Sequence, residues 1–473
     1  MLYGNRYQFR LYDELLIKEK QMHIEDMVLE AAKALYPHIK PEHRVLIICG
    51  KGNNGADGLA LASLLKTNVS VFLLENTDEG SYSYQYYYHQ VENLNIPIYT
   101  YDFMLDVLLN ECDCVIDGIF GTGFSGELSL RLDTIVSKIN ASNLKIISID
   151  VPSGLDCDLG TVTNNAIQAT CTISFMASKV GYLNPSSKQY TGKVIVEYIL
   201  YDEQVASEVQ FFKMLEEDYL KSLLKSRDYH GYKGTYGALS CSVGSTTYPG
   251  AALLSIGAAL NTGCGFVKFN GNDDLKSLLI PKYPEVVYGK DFKLVDAYLF
   301  GCGKGWNPTT TNELAELIQN ASQPILIDAD GINCLSEHLD LLEIKKAPII
   351  LTPHVGEMKR LMNGDPLMSA IKFAKKYQVI VVLKGAYTIV TDGKQSYMLA
   401  YGHKAMAVAG MGDCLAGIIS SLLAQHYAPI SAALLGVYIH SLCGTKLSKN
   451  HYTVLPSRLI ETISKVMNEI ENS

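Results

Sequence analysis

Asp413 lies in the run MAVAGMGDCLAG (406–417), preceded by Gly410, Met411 and Gly412 and followed by a long apolar stretch. A glycine turn that opens a helix offers unpaired backbone N–H groups and the positive end of the helix dipole, an anion hole. Asp413 is placed beside that hole. An aspartate N-cap would account for Asp413 alone, but not for two glycines ahead of so apolar a helix. A second loop, CGKGNNGADGLALA (49–62), sets Gly50, Gly52, Gly55 and Gly58 around Asn53, Asn54 and Asp57. It fits neither the GK[ST] phosphate loop nor GxGxxG. A strand-to-helix turn needs one glycine, so four with three short polar side chains point to an anionic ligand. Two further loops, DGIFGTGFSG (117–126) and IDVPSGLD (149–156), bring Asp117, Asp150 and Ser153. Asp117 alone reads equally as a loop cap. His354, in LTPHVGE, is either a satisfied structural histidine or a site residue, and its place at a strand end favours the site.

These residues need elements to hold them. HRVLIICG (43–50), VSVFLLE (69–75), CDCVIDGIF (112–120), LKIISIDVP (144–152) and ATCTISF (169–175) read as buried strands, and ALSCSVG, DAYLFGCG, PILIDADG, APIILTPH and VIVVLKGA form a second series. Continuous apolar strands alternating with helices indicate parallel sheets covered on both faces, an α/β protein. Ligands of such sheets lie beyond the carboxyl ends of the strands, where the three N-terminal loops converge. A polar stretch, YDEQVASEVQ (201–210), separates the series, so two domains are expected, 1–208 and 209–473. The Tyr-rich segment 81–90 reads as a surface helix, and Glu25 to Tyr36 as an amphipathic helix ended by Pro37.

The net charge of −9 and the lack of a basic block exclude a nucleic-acid footprint. Any anion must be held by local backbone dipoles against the global field. The 11 cysteines are odd in number and sit in apolar runs, which indicates reduced thiols and a cytoplasmic protein. The N-terminus lacks the signature of a signal peptide. Cys414 to Thr445 carries no charged residue, but Gln425, His426 and Pro429 interrupt it. Two buried helices with a short turn are expected there, not a membrane span.

Together, GNNGADG, DGIFGTG and DVPSGLD resemble the epimerase domain of NAD(P)HX repair proteins over roughly residues 10–200. The resemblance implies a Rossmann-like three-layer sandwich. It implies a potassium ion held by Asn54, Asp117 and Ser153, oxygen donors that suit a hard cation. It places NADHX or NADPHX on Asn53, Asn54, Gly55, Ala56 and Asp57, along Gly121, Thr122, Gly123, Phe124, Ser125, Gly126 and Glu127, and at Asp150, which is given a catalytic role. The chain departs from the family pattern at Lys33, Lys51 and Ala56.

The second half carries HGYKGTYG (230–237), FGCGKG (300–305), LIDADGIN (326–333), LTPHVGE (351–357), LKGAYT (383–388) and GMGD (410–413). The set is similar to the ADP- or ATP-dependent NAD(P)HX dehydratases, which have a ribokinase-like three-layer sandwich. The resemblance implies that Lys384, Gly385, Ala386, Tyr387, Thr388 and Gly412 contact the adenine nucleotide, while Ala251, Gly303, His354 and Asp413 face the hydrated nicotinamide. Asp413 would be the base on the substrate hydroxyl, and magnesium would bridge the phosphates. The expected function is therefore bifunctional: epimerisation of R- and S-NAD(P)HX, and dehydration of the S form to NAD(P)H with ADP or ATP. A homo-oligomer is expected. The alternative is a ribokinase-like small-molecule kinase carrying an N-terminal nucleotide- or protein-binding module.

Overall fold

The computed structural model describes residues 1–75, 80–289, 295–399 and 402–473, and it divides into two compact units, Met1–Phe212 and Lys213–Ser473. The 208/209 cut falls inside the helix Glu203–Val209. That helix buries Val205, Ala206 and Val209 beside Phe9 and Tyr12, and Phe211 packs tilted against the same two rings at 5.5 and 5.6 Å. The chain therefore stays with the first unit a few residues longer than its polarity suggests.

In the first unit, seven parallel strands lie in the spatial order Ile98–Tyr99, Val69–Leu73, Val45–Cys49, Cys114–Gly118, Lys145–Ile149, Cys171–Phe175, Lys193–Glu197. Alternation along Val45–Cys49 makes the layers. Val45, Ile47 and Cys49 face one core, with Leu59 and Ala60 of the helix Asn53–Leu65. Leu46 and Ile48 face the other, with Ile135 and Ile139 of the helix Leu130–Ala141. The sheet is thus covered on both faces. Its strand order reverses between Val45–Cys49 and Cys114–Gly118, and that reversal opens a crevice at their carboxyl ends. The Tyr-rich segment is the helix Tyr82–Asn93, capped by Ser81, with Tyr84 and Tyr87 buried and Tyr82 and Tyr86 exposed. The amphipathic helix runs Ile24–Leu35 and buries Val28, Ala31, Ala32 and Leu35, a spacing of one helical face.

In the second unit the order begins Val287–Tyr288, Phe266–Phe269, Ala238–Ser242, Ala297–Phe300, Ile325–Ile327, Ile349–Leu351, Ile380–Leu383, all parallel. Thr388–Thr391 and Ser396–Leu399 then add antiparallel strands. The order reverses here too, between Ala238–Ser242 and Ala297–Phe300. The apolar stretch from Cys414 forms two helices, Met411–Ala424 and Pro429–Ser448. The latter is long and apolar enough to cross a membrane, but it is mostly buried inside this unit. Met411–Ala424 packs on Pro249–Thr262 and against the strand Ala297–Phe300. Eleven cysteines are free, and all but Cys171 are buried.

Candidate active sites

A cavity of about 670 Å³ lies at the reversal point of the first sheet, lined by Asn53, Asn54, Asp57, Asp150 and residues 121–125. The glycine loop stands there for steric reasons. A Cβ on Gly55 would lie 1.8 Å from the Gly50 carbonyl oxygen, so the loop closes onto the helix start only without a side chain. Ala56 is fully buried within the helix at negative φ, so its methyl costs the backbone nothing. Lys33 is on an exposed helix face and pairs with Glu30 at 2.7 Å, and Lys51 pairs with Glu75 at 2.9 Å. None of the three departures disturbs the loop. Gly55, Ala56, Gly126 and Glu127 do not line the cavity.

Asp117 is beneath the cavity wall, 1% exposed. Its oxygens accept from Ser148 Oγ (2.7 Å), Ser153 N (2.9 Å), Ser153 Oγ (2.6 Å) and Ile119 N (3.3 Å). Burial pushes its carboxyl above the usual range although these donors oppose the shift. The Phe120 backbone ties the group together: its N–H donates to Ser153 Oγ at 2.9 Å, and its carbonyl accepts from Asn54 Nδ2 at 3.0 Å. Asn54, Asp117 and Ser153 therefore converge on one turn, as an amide, a carboxylate and a hydroxyl.

Asp150 has φ +60°, strained for a non-glycine residue. The strain is held from several sides. Its N–H donates to Ile173 O (2.8 Å), its carbonyl accepts from Tyr182 Oη (2.7 Å), and its carboxylate accepts from Phe175 N (3.1 Å) and pairs closely with Lys179 Nζ. Lys179 is 1% exposed, with its ammonium 3.7 Å from the Phe9 ring centroid. Lys179 and Asp13, both in the cavity wall, carried no local sequence signal: one ends the two-residue strand Ser178–Lys179 and the other sits in a charged helix. Asp13 is wetted by the cavity but ringed by protein. Burial, reinforced by Asp150, pushes its carboxyl up to about 7. Asp57 is raised well above the ordinary value by burial and by Asp150 and Asp13.

The second unit assembles an acid cluster at the start of Met411–Ala424, whose N-cap Gly410 has φ +95°. Asp328, 1% exposed, accepts from Thr352 Oγ1 and Lys384 Nζ, each at 2.7 Å. Cys302 Sγ lies 3.8 Å from its other oxygen, and Cys302, Asp328 and Asp413 present ligand atoms within 4.8 Å of one another. Burial, then the charge of Asp328, pushes the Asp413 carboxyl up to about 7. Burial pulls Lys384 down, but Asp328 and Glu357 outweigh it and the ammonium is held above its usual value. The ammonium of Lys384 is thus turned into the acid cluster, 3.2 Å from where a Gly412 Cβ would stand. Gly385 and Ala386 form an exposed loop, with Tyr387 and Thr388 half-buried beside it. A Cβ on Gly303 would come 2.6 Å from Ala251 Cβ, so these two residues are neighbours across the reversal point. His354 caps the helix Val355–Leu361: its Nδ1 accepts from Gly356 N (2.9 Å) and Glu357 N (3.2 Å). That fixes the proton on Nε2, and the ring remains 55% exposed. It fills the structural and the outward-facing role together. Asp328, in the DADGIN motif, went unassigned in the sequence although it is the hub of the cluster.

Residues 21–181 match the family model described as YjeF-related protein N-terminus, and residues 241–465 match NAD(P)H-hydrate dehydratase. The bifunctional NAD(P)H-hydrate repair enzyme of Moorella thermoacetica is 30% identical, over 95% of this chain and 92% of that protein. The enzyme of the same description from Coxiella burnetii is 31% identical, over 95% of each chain. The chain belongs to the family of bifunctional NAD(P)H-hydrate repair enzymes. Among solved structures, a ribokinase-like superfamily protein of Enterococcus faecalis superposes with a TM-score of 0.51 at 26% identity, covering 58% of this chain and 99% of that one. The Bacillus subtilis ADP/ATP-dependent NAD(P)H-hydrate dehydratase, crystallised with ATP and magnesium, gives 0.50 at 25% identity, over 55% and 99%. The family thus extends over both units, and the ribokinase-like fold belongs to the second.

Proposed function

We propose that the protein repairs hydrated nicotinamide nucleotides: the first unit interconverts R- and S-NAD(P)HX, and the second dehydrates the S form to NAD(P)H with ADP or ATP, releasing AMP or ADP and phosphate. The observation that carries this reading is Asp413, a carboxyl raised to about 7 at a glycine-opened helix start. NAD(P)HX bears a hydroxyl on ring carbon 6, and hydroxide leaves poorly. Asp413 takes the hydroxyl proton as that oxygen attacks the terminal phosphoryl group. The N–H groups of the helix start and the Lys384 ammonium receive the developing negative charge. Phosphate then leaves carbon 6 with the C–O electron pair, the proton on carbon 5 passes to solvent, and its electron pair forms the C5=C6 bond of the dihydronicotinamide. Ala251, Gly303 and His354 form the wall for the nicotinamide, and the loop 384–388 is the nucleotide's side.

In the first unit, Asn53–Asp57, residues 121–127 and Asp150 are assigned to the NAD(P)HX nucleotide. Asn54, Asp117 and Ser153 would hold a potassium ion: the Asp117 carboxylate and Ser153 hydroxyl meet at the Phe120 turn, and the Asn54 amide is anchored there through its nitrogen, leaving its oxygen as the donor to the ion. When bound, that ion supplies positive charge beside the nucleotide. For magnesium the Cys302, Asp328 and Asp413 cluster fits poorly, because Asp328 already holds Thr352 and Lys384 and its neighbour is a thiol. Magnesium would instead arrive with the nucleotide and supply charge neutralisation at its phosphates. The test is incubation with mixed R- and S-NADHX plus ADP or ATP. Recovery of dihydronicotinamide absorbance with stoichiometric phosphate from both epimers supports the reading. Nucleotide hydrolysis without recovered NADH would overturn it.

A further inference from the structure

We propose that Asp13, on the helix Arg6–Lys20, is a catalytic residue of the N-terminal cavity, exchanging the proton that accompanies loss and return of the carbon 6 hydroxyl. This rests on the epimerase reading of the first unit. The cavity wall brings four carboxylates: Asp13 from the first helix, Asp57 from the helix Asn53–Leu65, Asp150 from a strand end, and Glu75, which pairs with Lys51. The buried cation among them, Lys179, is committed to Asp150. Asp13 and Asp57 have no hydrogen bond or ion pair among the described residues. Asp57 belongs to the glycine loop already assigned to the nucleotide, which leaves Asp13 as a carboxyl with no structural task, aimed into the cavity. Its helix neighbours Phe9, Tyr12 and Leu16 bury their side chains and so pin the helix face that carries it.

Epimerisation requires the hydroxyl to leave carbon 6 and return on the other face. Asp13 donates its proton to the hydroxyl oxygen, the C6–O bond breaks, and its electron pair leaves with water. The N1 lone pair forms the N1=C6 bond of an iminium cation. Water adds to carbon 6 from the other face, the iminium electron pair returns to N1, and the added water gives a proton to the Asp150 carboxylate. Reversal exchanges the two roles. One proton enters and one leaves, with no oxidant or reductant, and the carboxylates of the wall favour the cationic intermediate. The Asp13 side chain is exposed to the cavity's solvent, but desolvation by the surrounding wall and the neighbouring Asp150 push its carboxyl up to about 7, where it is still able to donate at neutral pH. The charged or titratable groups around it are Asp150, Lys179 and Asp57 on other elements, Glu14 and Tyr12 on its own helix, and Lys51 and Glu75 in the cavity lining.

The test uses the full chain and pure R-NADHX, following R-to-S conversion without nucleotide. D13N is expected to lose about 10²–10⁴-fold in kcat with KM little changed. D13E is expected to recover part of the loss, and acetate to rescue D13A. Wild-type kcat is expected to fall above about pH 7, as the Asp13 proton is lost, and D13N to lack that limb. Wild-type-like kcat and pH profile in D13N overturn the assignment of Asp13 alone. If D13N loses its cooperative melt, D13E decides: a changed pH profile supports the role and an unchanged one overturns it. A wild type that does not interconvert the epimers overturns the epimerase reading, and the Asp13 role falls with it.

Discussion

Asp413 stores instability for chemistry. Its folded-state carboxyl titrates near 7, against about 4 in an unfolded chain. Between those values the folded protein keeps a proton that the unfolded chain has released, so stability falls as pH rises through that window. D413N removes the effect. It is expected to melt above wild type at about pH 8 and to match it near pH 4, while dehydration of S-NADHX drops about 10²–10⁴-fold and epimerisation persists. Wild-type dehydration should rise with pH through about 7, as the base ionises. Asp117 carries the opposite burden, since its oxygens satisfy Ser148, Ser153 and Ile119. D117A is expected to abolish potassium-dependent epimerisation, but also to lower stability by about 1–3 kcal/mol through the orphaned donors. Melts and epimerase rates with and without potassium check both effects, with dehydration in the same preparation as the control. His440 is pushed down to about 4 by burial, and its Nε2 has no hydrogen-bond partner among the described residues. Between about 6.5 and 4 the unfolded chain binds a proton that this folded histidine refuses, so stability falls as pH drops. H440Q is expected to flatten that acid limb in denaturant melts at several pH values.

At the scale of elements, the second unit depends on how closely Met411–Ala424 approaches Pro249–Thr262. A Cβ on Gly417 would stand 2.2 Å from the Ser255 carbonyl oxygen, backbone that moves only with its helix. G417A is expected to cost about 1–3 kcal/mol despite its better helix propensity, because overpacking outweighs it. Helix displacement also shifts Gly410–Asp413, so dehydratase activity should fall with the melting temperature while epimerase activity stays. The strands and helices here were legible because period and capping are local. Val45–Cys49 is wholly apolar, and Ser81 caps the Tyr-rich helix. The two-residue strand Ile98–Tyr99 carries no comparable run, and only pairing with its neighbour makes it a strand.

For the whole molecule, each unit has its own run of parallel strands, its own order reversal and its own core. Fragments 1–212 and 213–473 are expected to fold separately, the first epimerising and the second dehydrating with ADP or ATP. A fragment ending at 208 should melt lower than one ending at 212. It loses Phe211, which packs on Phe9 and Tyr12, and the Gln210 carbonyl that accepts from Gln8 Nε2 at 2.7 Å. Circular dichroism melts and separate assays of each fragment check both expectations.

The amino-acid sequence by itself determined the class, the two strand series and the loops that meet at strand ends, because glycine turns, apolar runs and polar loop residues are statements about neighbours in the chain. Family motifs carried Asn54, Asp117, Ser153 and Asp413 for the same reason. Only the tertiary structure decided which groups share a cavity. Asp13 and Lys179 reach Asp150 from helix and strand positions far away in sequence, and Asp328 gathers Thr352, Lys384 and Cys302 from three separate segments. Desolvation and charge coupling depend on that gathering. The raised carboxyls of Asp13 and Asp413 are therefore properties of the fold, while the residues that bear them are properties of the chain.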